Sequence, residues 1–290
     1  ITRTQADFAQ AWLLLGSLQL QEKQAATAEA AFKQYLSLAE LQPASAARER
    51  GLAQAFLAMA QIAEQRKSFD EAEKWLQRID SPDVLLQTQS RRAALLARQG
   101  QLQAGIALIR ELPERKADDA RNKLFAEVAL LKEFKQLQMA FDRLAQAVAA
   151  APQDIELMYE QAMTAEKLNR LPEMEQLLRR VIQIKPDYQA AYNALGYSLA
   201  DRGLRLEEAR ALIVKALSLA PGDPFITDSL GWVEFRLGRH EEALRLLREA
   251  YRARPDTEIA AHLGEVLWVM GRQDEARQIW REGRTRDASN

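Results

Sequence analysis

His240 and Glu241 are adjacent residues whose types could do catalytic chemistry. A His-Glu pair begins the H-E-x-x-H signature, in which two histidines one helical turn apart bind Zn²⁺ and the glutamate acts as a general base. Leu244 stands where the second histidine would have to lie. His262 is the only other histidine and the chain has no cysteine. Because a zinc site needs three or four protein ligands, we expect no metal and no cofactor.

Other catalytic signatures are also missing from the sequence. A serine triad needs a histidine base beside a nucleophile on a strained strand-turn-helix elbow, and Ser229 lies in a helical sequence ahead of His240. The glycines do not form a phosphate-binding loop. We therefore predict that the chain is not an enzyme.

The spacing of prolines indicates a repeat. Pro152, Pro186, Pro221 and Pro255 recur at a nearly constant interval of about 34 residues, the period of tetratricopeptide helix-turn-helix units. Alanines precede three of these prolines at the same two offsets: Ala140 and Ala147, Ala209 and Ala216, Ala243 and Ala250. Alanine, leucine, glutamate, glutamine and arginine, all good helix formers, dominate the composition. We predict an all-α, tetratricopeptide-repeat (TPR), right-handed superhelical solenoid.

Glycines inside the predicted helices need a packing reason, because an interior glycine costs about 1 kcal/mol against alanine. A Leu-Gly pair opens several units, at Gly16, Gly196, Gly231 and Gly264. Three of these glycines precede an alanine at one fixed offset, which pairs Gly16 with Ala28, Gly231 with Ala243 and Gly264 with Ala276. We predict that the two small residues face each other where the helices of one unit cross.

The repeat frame divides the chain into about eight units within a single solenoid spanning residues 1–290. Their approximate ranges are 9–42, 53–86, 87–120, 121–154, 155–188, 189–223, 224–257 and 258–288, and the units within 189–288 are the most regular. The segment PASAARERGL, residues 43–52, is predicted to be an extended junction.

Charge and hydropathy exclude several classes of partner. Lysine plus arginine total 40 against 41 for aspartate plus glutamate, with both signs interspersed, so nucleic acid is not an expected partner. No apolar run approaches the roughly 20 residues of a membrane helix. The absence of cysteine leaves both reducing and oxidising compartments open. The chain starts at Ile1, and we expect any signal peptide or lipid anchor to lie upstream.

Three strings in the last third carry a resemblance to a known group. They are NALGYSLADR at 193–202, DSLGWV at 228–233 and EIAAHLGEVLW at 258–268. In these strings the chain resembles the proteobacterial tetratricopeptide lipoproteins of the outer membrane. That group contains the lipoprotein binding partner of a periplasmic carboxyl-terminal processing protease.

The resemblance implies a non-enzymatic adaptor, anchored by an N-terminal lipid, that brings the protease to peptidoglycan hydrolases. It therefore implies a periplasmic, outer-membrane location, while a cytoplasmic one stays open. No contact residue transfers from the family, so the candidate site rests on the repeat geometry alone.

First helices of such units line a groove, which large apolar anchors and a few polar residues would suit for binding a protein or peptide segment. The predicted groove residues are Phe125, Tyr159, Met163, Asn193, Tyr197, Asp228, Trp232, Phe235 and Trp268. The alternative is that several of them fill space between adjacent units.

Two other functions compete with the adaptor. One is a cytosolic chaperone or signalling adaptor that captures a peptide tail, although Asn193 has no lysine nearby to help bind a carboxylate. The other is the regulatory arm of a larger enzyme. Neither the partner's identity nor the oligomeric state follows from the sequence.

Overall fold

The computed structural model describes residues 8–288, with side chains to residue 285, and this range contains sixteen α-helices, one short 3-10 turn at Pro82–Val84 and no strand. The helices are α1 (Ala9–Gln21), α2 (Ala25–Glu40), α3 (Ala46–Gln65), α4 (Phe69–Leu76), α5 (Leu85–Arg98), α6 (Leu102–Arg110), α7 (Asp119–Glu133), α8 (Leu137–Ala150), α9 (Ile155–Lys167), α10 (Leu171–Ile184), α11 (Gln189–Asp201), α12 (Leu206–Leu219), α13 (Pro224–Arg236), α14 (His240–Ala253), α15 (Thr257–Val269) and α16 (Gln273–Ala288). The all-α prediction is confirmed.

The helices follow one another as eight pairs, each with an odd-numbered first helix and an even-numbered second helix. The two helices of a pair pack closely in α1–α2, α11–α12, α13–α14 and α15–α16. The chain divides into two compact units, 1–140 and 141–290, and each is considered separately below. The single continuous solenoid and its right-handed course stay predictions.

The turn between the two helices of a pair has one backbone signature throughout. A residue with positive φ follows each of the eight first helices: Lys23, Lys67, Gly100, Lys135, Asn169, Gly203, Gly238 and Gly271. Gly238 (φ 79°) and Gly271 (φ 80°) are left-handed caps of this kind. Three lysines adopt this conformation at a steric cost that glycine would avoid.

Side-chain caps begin several first helices. Asp223 Oδ1 accepts hydrogen bonds from the backbone N–H groups of Phe225 (2.9 Å) and Ile226 (3.0 Å), and Pro224 occupies the first helical position. Asp154 caps α9 in the same way. Each cap satisfies N–H groups that have no partner inside the helix.

The helix crossings differ in detail from the prediction of paired small residues. A Cβ atom added to Gly231 would lie 2.7 Å from Leu247 Cγ, so this glycine makes room for a large side chain one turn beyond Ala243. Gly16 and Gly264 likewise face Phe32 and Trp280, which lie on the second helices of their pairs. The prediction is wrong at these three crossings because the glycine receives the bulk of a packed side chain.

Small residues do meet at other crossings. A Cβ atom on Gly196 would lie 2.9 Å from the Ala209 carbonyl oxygen as well as 2.6 Å from Ile213 Cγ1. One on Gly105 would lie 2.6 Å from the Ala93 carbonyl oxygen. The helix backbones therefore approach closely at these two pairs.

The predicted extended junction at 43–52 is wrong over most of its length, because α3 begins at Ala46. Ser45 caps this helix by accepting a hydrogen bond from the Arg48 backbone N–H (3.2 Å). Gly51 lies inside the helix, where the Tyr35 side chain occupies the space that a Cβ would need. No helix in the described range has the length and apolar character that a membrane span requires.

Candidate protein-binding site

Every predicted groove residue lies on a first helix. Phe125 is on α7, in the first compact unit, where it is partly buried and its ring lies 5.2 Å from the Arg121 guanidinium. The others lie in the second unit: Tyr159 and Met163 on α9, Asn193 and Tyr197 on α11, Asp228, Trp232 and Phe235 on α13, and Trp268 on α15. Whether any of them binds a protein stays a prediction.

Repeat register brings part of this set together. Asn193 and Asp228 occupy the same position on α11 and α13, and His262 lies one residue beyond the equivalent position on α15. Tyr197 and Trp232 follow Asn193 and Asp228 by one helical turn, on the same helix face. Packing of α13 against α11 and α15 places these side chains beside one another. We call Asn193, Tyr197, Asp228, Trp232, Glu258 and His262 the first-helix cluster.

His262 is the centre of the first-helix cluster. Its Nδ1–H donates to Asp228 Oδ2 at 2.9 Å, and its Nε2 lies 3.3 Å from the Tyr197 hydroxyl. The imidazole also stacks on Trp232, with ring centroids 4.4 Å apart and planes 21° apart. One buried side chain thus links three consecutive first helices.

Protonation of His262 completes a chain of hydrogen bonds. The Tyr197 hydroxyl has one proton, which it donates to Glu258 Oε1 at 3.4 Å or to a neutral His262 Nε2. A protonated imidazole donates from Nε2 to Tyr197 and frees the hydroxyl proton for Glu258. Only the charged form therefore connects all four residues from Asp228 to Glu258.

The local electrostatics favour that charged form. Burial opposes the charge on His262, but the hydrogen bond and negative charge of Asp228, aided by Glu258 and Glu265, raise its pKa above the usual value. Burial also raises the pKa of the Tyr197 hydroxyl, and the carboxylates of Glu258, Asp201 and Asp228 raise it further. The first-helix cluster is a site of negative potential.

The aromatic residues differ in exposure. Trp232 is only 6% exposed and stacks on His262 of α15, so it fills space between helices, and its ring lies 5.3 Å from that of Phe235. Trp268 is 39% exposed and packs against Trp280 of its own pair, with centroids 5.7 Å apart. No described ring contact joins Trp268 to Trp232 or Phe235. The described ring contacts thus connect three of the predicted groove residues: Tyr197 reaches Trp232 through His262, and Trp232 contacts Phe235 directly.

The α9 residues are set apart from the first-helix cluster by their contacts. Tyr159 meets Tyr188 edge-on, with ring centroids 5.6 Å apart, and burial raises the pKa of its hydroxyl to about 12. Met163 is partly buried on the same helix. Tyr159 stands one repeat before Asn193 and so continues the column of equivalent positions.

The two histidines have different surroundings. His240 is the first residue of α14, where it is partly buried and its ring lies 5.4 Å from that of Phe235. His262 is missing from the groove residues predicted by sequence, because the repeat frame set by Gly231 and Gly264 places Ala261 at the position equivalent to Asp228. Within residues 8–288 no group of three or more His, Asp or Glu side chains is arranged to hold a metal ion.

Comparison with known proteins agrees with this architecture. Sequence profiles described as tetratricopeptide repeat match residues 171–224 and 229–290, and another profile of that description matches 9–40. A TPR repeat-containing protein of Pseudomonas aeruginosa is 38% identical over 207 residues, which cover 71% of this chain. The match covers 35% of that relative, so the chain spans about a third of its length.

A solved structure shows the same fold. A tetratricopeptide repeat protein from Parabacteroides merdae is 14% identical and aligns with a TM-score of 0.57 over 81% of this chain and 93% of that one. A thermophilic TPR protein of Thermus thermophilus is 25% identical, with a TM-score of 0.49 over 54% of this chain and 86% of that one. The repeat profiles and the eight helix pairs together show that the chain belongs to the tetratricopeptide repeat family.

Proposed function

We propose that this chain is the binding scaffold of a periplasmic lipoprotein adaptor that presents peptidoglycan hydrolases to a carboxyl-terminal processing protease. Its tetratricopeptide repeats indicate a protein-protein interaction scaffold, and the adaptor is the specific form of that function. Such an adaptor needs binding surfaces and no catalytic residue of its own.

One observation carries the proposal. The three strings that resemble the lipoprotein group are those that build the first-helix cluster. The string at 193–202 supplies Asn193 and Tyr197, that at 228–233 supplies Asp228 and Trp232, and that at 258–268 supplies His262. The resemblance is therefore concentrated at one inter-helix surface and not spread over exposed loops.

A repeat scaffold suits this task for a physical reason. Its surface is large relative to its core, so two partners have room to bind at once. The second association then becomes intramolecular, with an effective concentration that can reach the millimolar range. Proteolysis is accelerated without any catalytic contribution from the scaffold.

The test is a cleavage assay with this chain, the carboxyl-terminal processing protease and a peptidoglycan hydrolase from the same organism. We expect submicromolar chain to accelerate loss of the hydrolase at least tenfold, followed on gels. Excess chain should slow cleavage again, because it holds protease and hydrolase on separate molecules.

The outcomes separate the competing functions. A rate that rises to a plateau without falling would indicate an activator of the protease and contradict bridging. An unchanged rate, with neither protein bound in calorimetric titration, would reject the protease adaptor. The chaperone or signalling adaptor and the regulatory arm of an enzyme would then be the functions to test.

A further inference from the structure

Only one of the two Asp228 carboxylate oxygens has a hydrogen-bond partner among the described residues. Asp228 is 4% exposed, and its Oδ2 accepts the hydrogen bond from His262. Its Oδ1 is buried and has no hydrogen-bond partner among the described residues. A buried carboxylate oxygen without a donor is costly, so this atom needs an explanation.

Glu234 is a second buried acidic residue on α13, and its charge is neutralised by ion pairs. Glu234 is 2% exposed, and its carboxylate pairs with Arg210 at 2.6 Å and Arg239 at 3.0 Å. Asp228, two turns earlier on α13, has only the imidazole of His262. The contrast assigns Asp228 a different role from a stabilising buried ion pair.

The surroundings of Asp228 would attract a cation. The carboxylates of Glu258, Asp201 and Asp228 all act on Tyr197, so three negative charges converge on the first-helix cluster. Besides the protonated His262, which pairs with Asp228 Oδ2, a second cationic group lies close by: the Arg236 guanidinium, 5.8 Å from the Trp232 ring. Arg236 donates to the Asp201 carbonyl oxygen, and no ion pair between it and Asp228 is described.

Two further polar atoms of the first-helix cluster have no partner among the described residues. Asn193 Oδ1 is a second buried acceptor, in the position of α11 equivalent to Asp228. Trp232 Nε1 is a buried donor one turn after Asp228, in a side chain that is 6% exposed. The two acceptors, Asp228 Oδ1 and Asn193 Oδ1, suit a cationic side chain. The donor, Trp232 Nε1, suits a backbone carbonyl oxygen of the same residue.

We propose that the first-helix cluster receives a lysine or arginine side chain of a bound protein segment. This inference rests on the proposed protein-binding function and names the chemistry of its ligand. The cationic group donates to Asp228 Oδ1 and Asn193 Oδ1, while Trp232 Nε1 donates to a carbonyl oxygen of the same segment. Because Asp228 and Trp232 are buried, neighbouring side chains of the first-helix cluster must move to admit the guest.

The test uses two small probes, N-acetyl-lysine methylamide and N-acetyl-norleucine methylamide. They share the backbone carbonyl groups and differ in the ammonium group. Affinities are measured by NMR from shifts of the His262 imidazole and the Trp232 indole N–H. We expect the lysine probe to bind wild-type protein at least fivefold more tightly than the norleucine probe.

Substitutions assign the preference to Asp228. Asp228→Asn keeps an acceptor for His262 and removes the charge, so we expect it to abolish the fivefold preference for lysine. Glu241→Gln removes the same charge from the exposed start of α14 and is the matched control, which should leave the preference unchanged. Glu258→Gln, at an exposed position of the first-helix cluster, should reduce the preference about twofold.

Equal binding of the two probes by wild-type protein would overturn the proposal, as would an Asp228→Asn protein that keeps the preference. If Asp228→Asn does not fold, an unchanged preference in Glu258→Gln decides against it. The probes do not depend on the identity of the protein partner. Lysine selectivity without faster hydrolase cleavage would uphold this inference and reject the protease adaptor. Faster cleavage without lysine selectivity would support the adaptor and overturn this inference.

Discussion

His262 links three repeats through a single side chain. Its imidazole forms hydrogen bonds with the side chains of Asp228 and Tyr197, and it stacks on the Trp232 ring. A buried polar group stabilises a fold only when its hydrogen bonds are satisfied. Because protonation completes the bonding from Asp228 to Glu258, the protein's stability should depend on the charge of this residue.

The sign of that dependence follows from the raised pKa of folded His262. A group with a raised pKa in the folded state adds stability that is fully present below its unfolded pKa of about 6.5. The contribution is lost as the pH rises through the folded pKa. We therefore expect His262→Gln to lower Tm more at pH 5.5 than at pH 8.5. A His240→Gln protein serves as the control, and a Tm loss in His262→Gln that is equal at both pH values would contradict the prediction.

Trp232 and Trp268 form a matched pair for separating packing from exposure. Trp232 is 6% exposed and Trp268 is 39% exposed. Removing a buried aromatic side chain leaves a cavity, so Trp232→Ala should lower the free energy of unfolding by about 3–5 kcal/mol. Trp268→Ala should cost less than half as much. Denaturant unfolding measures both, and equal losses would show that Trp232 is not a core residue of the inter-helix packing.

At the scale of elements, each of several helix pairs is held by a glycine that receives a large side chain from its partner helix. At the α13–α14 crossing a Cβ on Gly231 would come 2.7 Å from Leu247 Cγ. Gly231→Ala should therefore overpack the crossing and cost about 1–3 kcal/mol. Leu247→Ala creates a cavity that the added methyl group partly fills, so the double variant should be more stable than the sum of the single changes predicts. Strict additivity in urea unfolding would show that the two residues do not share this space.

The sequence predicts these elements well where their signals are local. Proline spacing, the glycine caps at Gly238 and Gly271 and the acidic cap Asp223 locate the later helix pairs. The sequence fails where a tertiary contact overrides local preference. Gly51 lies in the segment predicted to be extended, yet it is part of α3 and packs against the Tyr35 side chain. Lys67 and Lys135 have a positive φ, which the lysine residue type does not predict.

The candidate site was less predictable than the helices for the same reason. The repeat period alone predicts that residues such as Tyr197 and Trp232 lie on first helices. Their burial does not, because it depends on how far neighbouring helices approach. His262 lies in an apolar stretch and gains its role only from Asp228 and Tyr197, which belong to the two preceding repeats.

For the whole molecule, repetition makes stability a sum over neighbouring pairs. Each pair contributes its own folding term and an interface with the next, and distant pairs do not interact. In the second compact unit, a network of arginines and glutamates strengthens one such interface. Arg205 pairs with Glu175 (Nη1 to Oε1, 3.0 Å), and Arg179 pairs with Glu208, so charges of α10 meet those at the start of α12.

Truncation tests this additivity. A fragment 155–290 contains four helix pairs and a fragment 189–290 contains three, because the shorter one lacks α9 and α10. Loss of the α10 interface should lower the urea midpoint of the shorter fragment. Since the m value scales with the surface exposed on unfolding, the two m values should stand in a ratio of about four to three. Equal midpoints would mean that the pairs fold independently, because an interface that adds no stability cannot couple one repeat to the next.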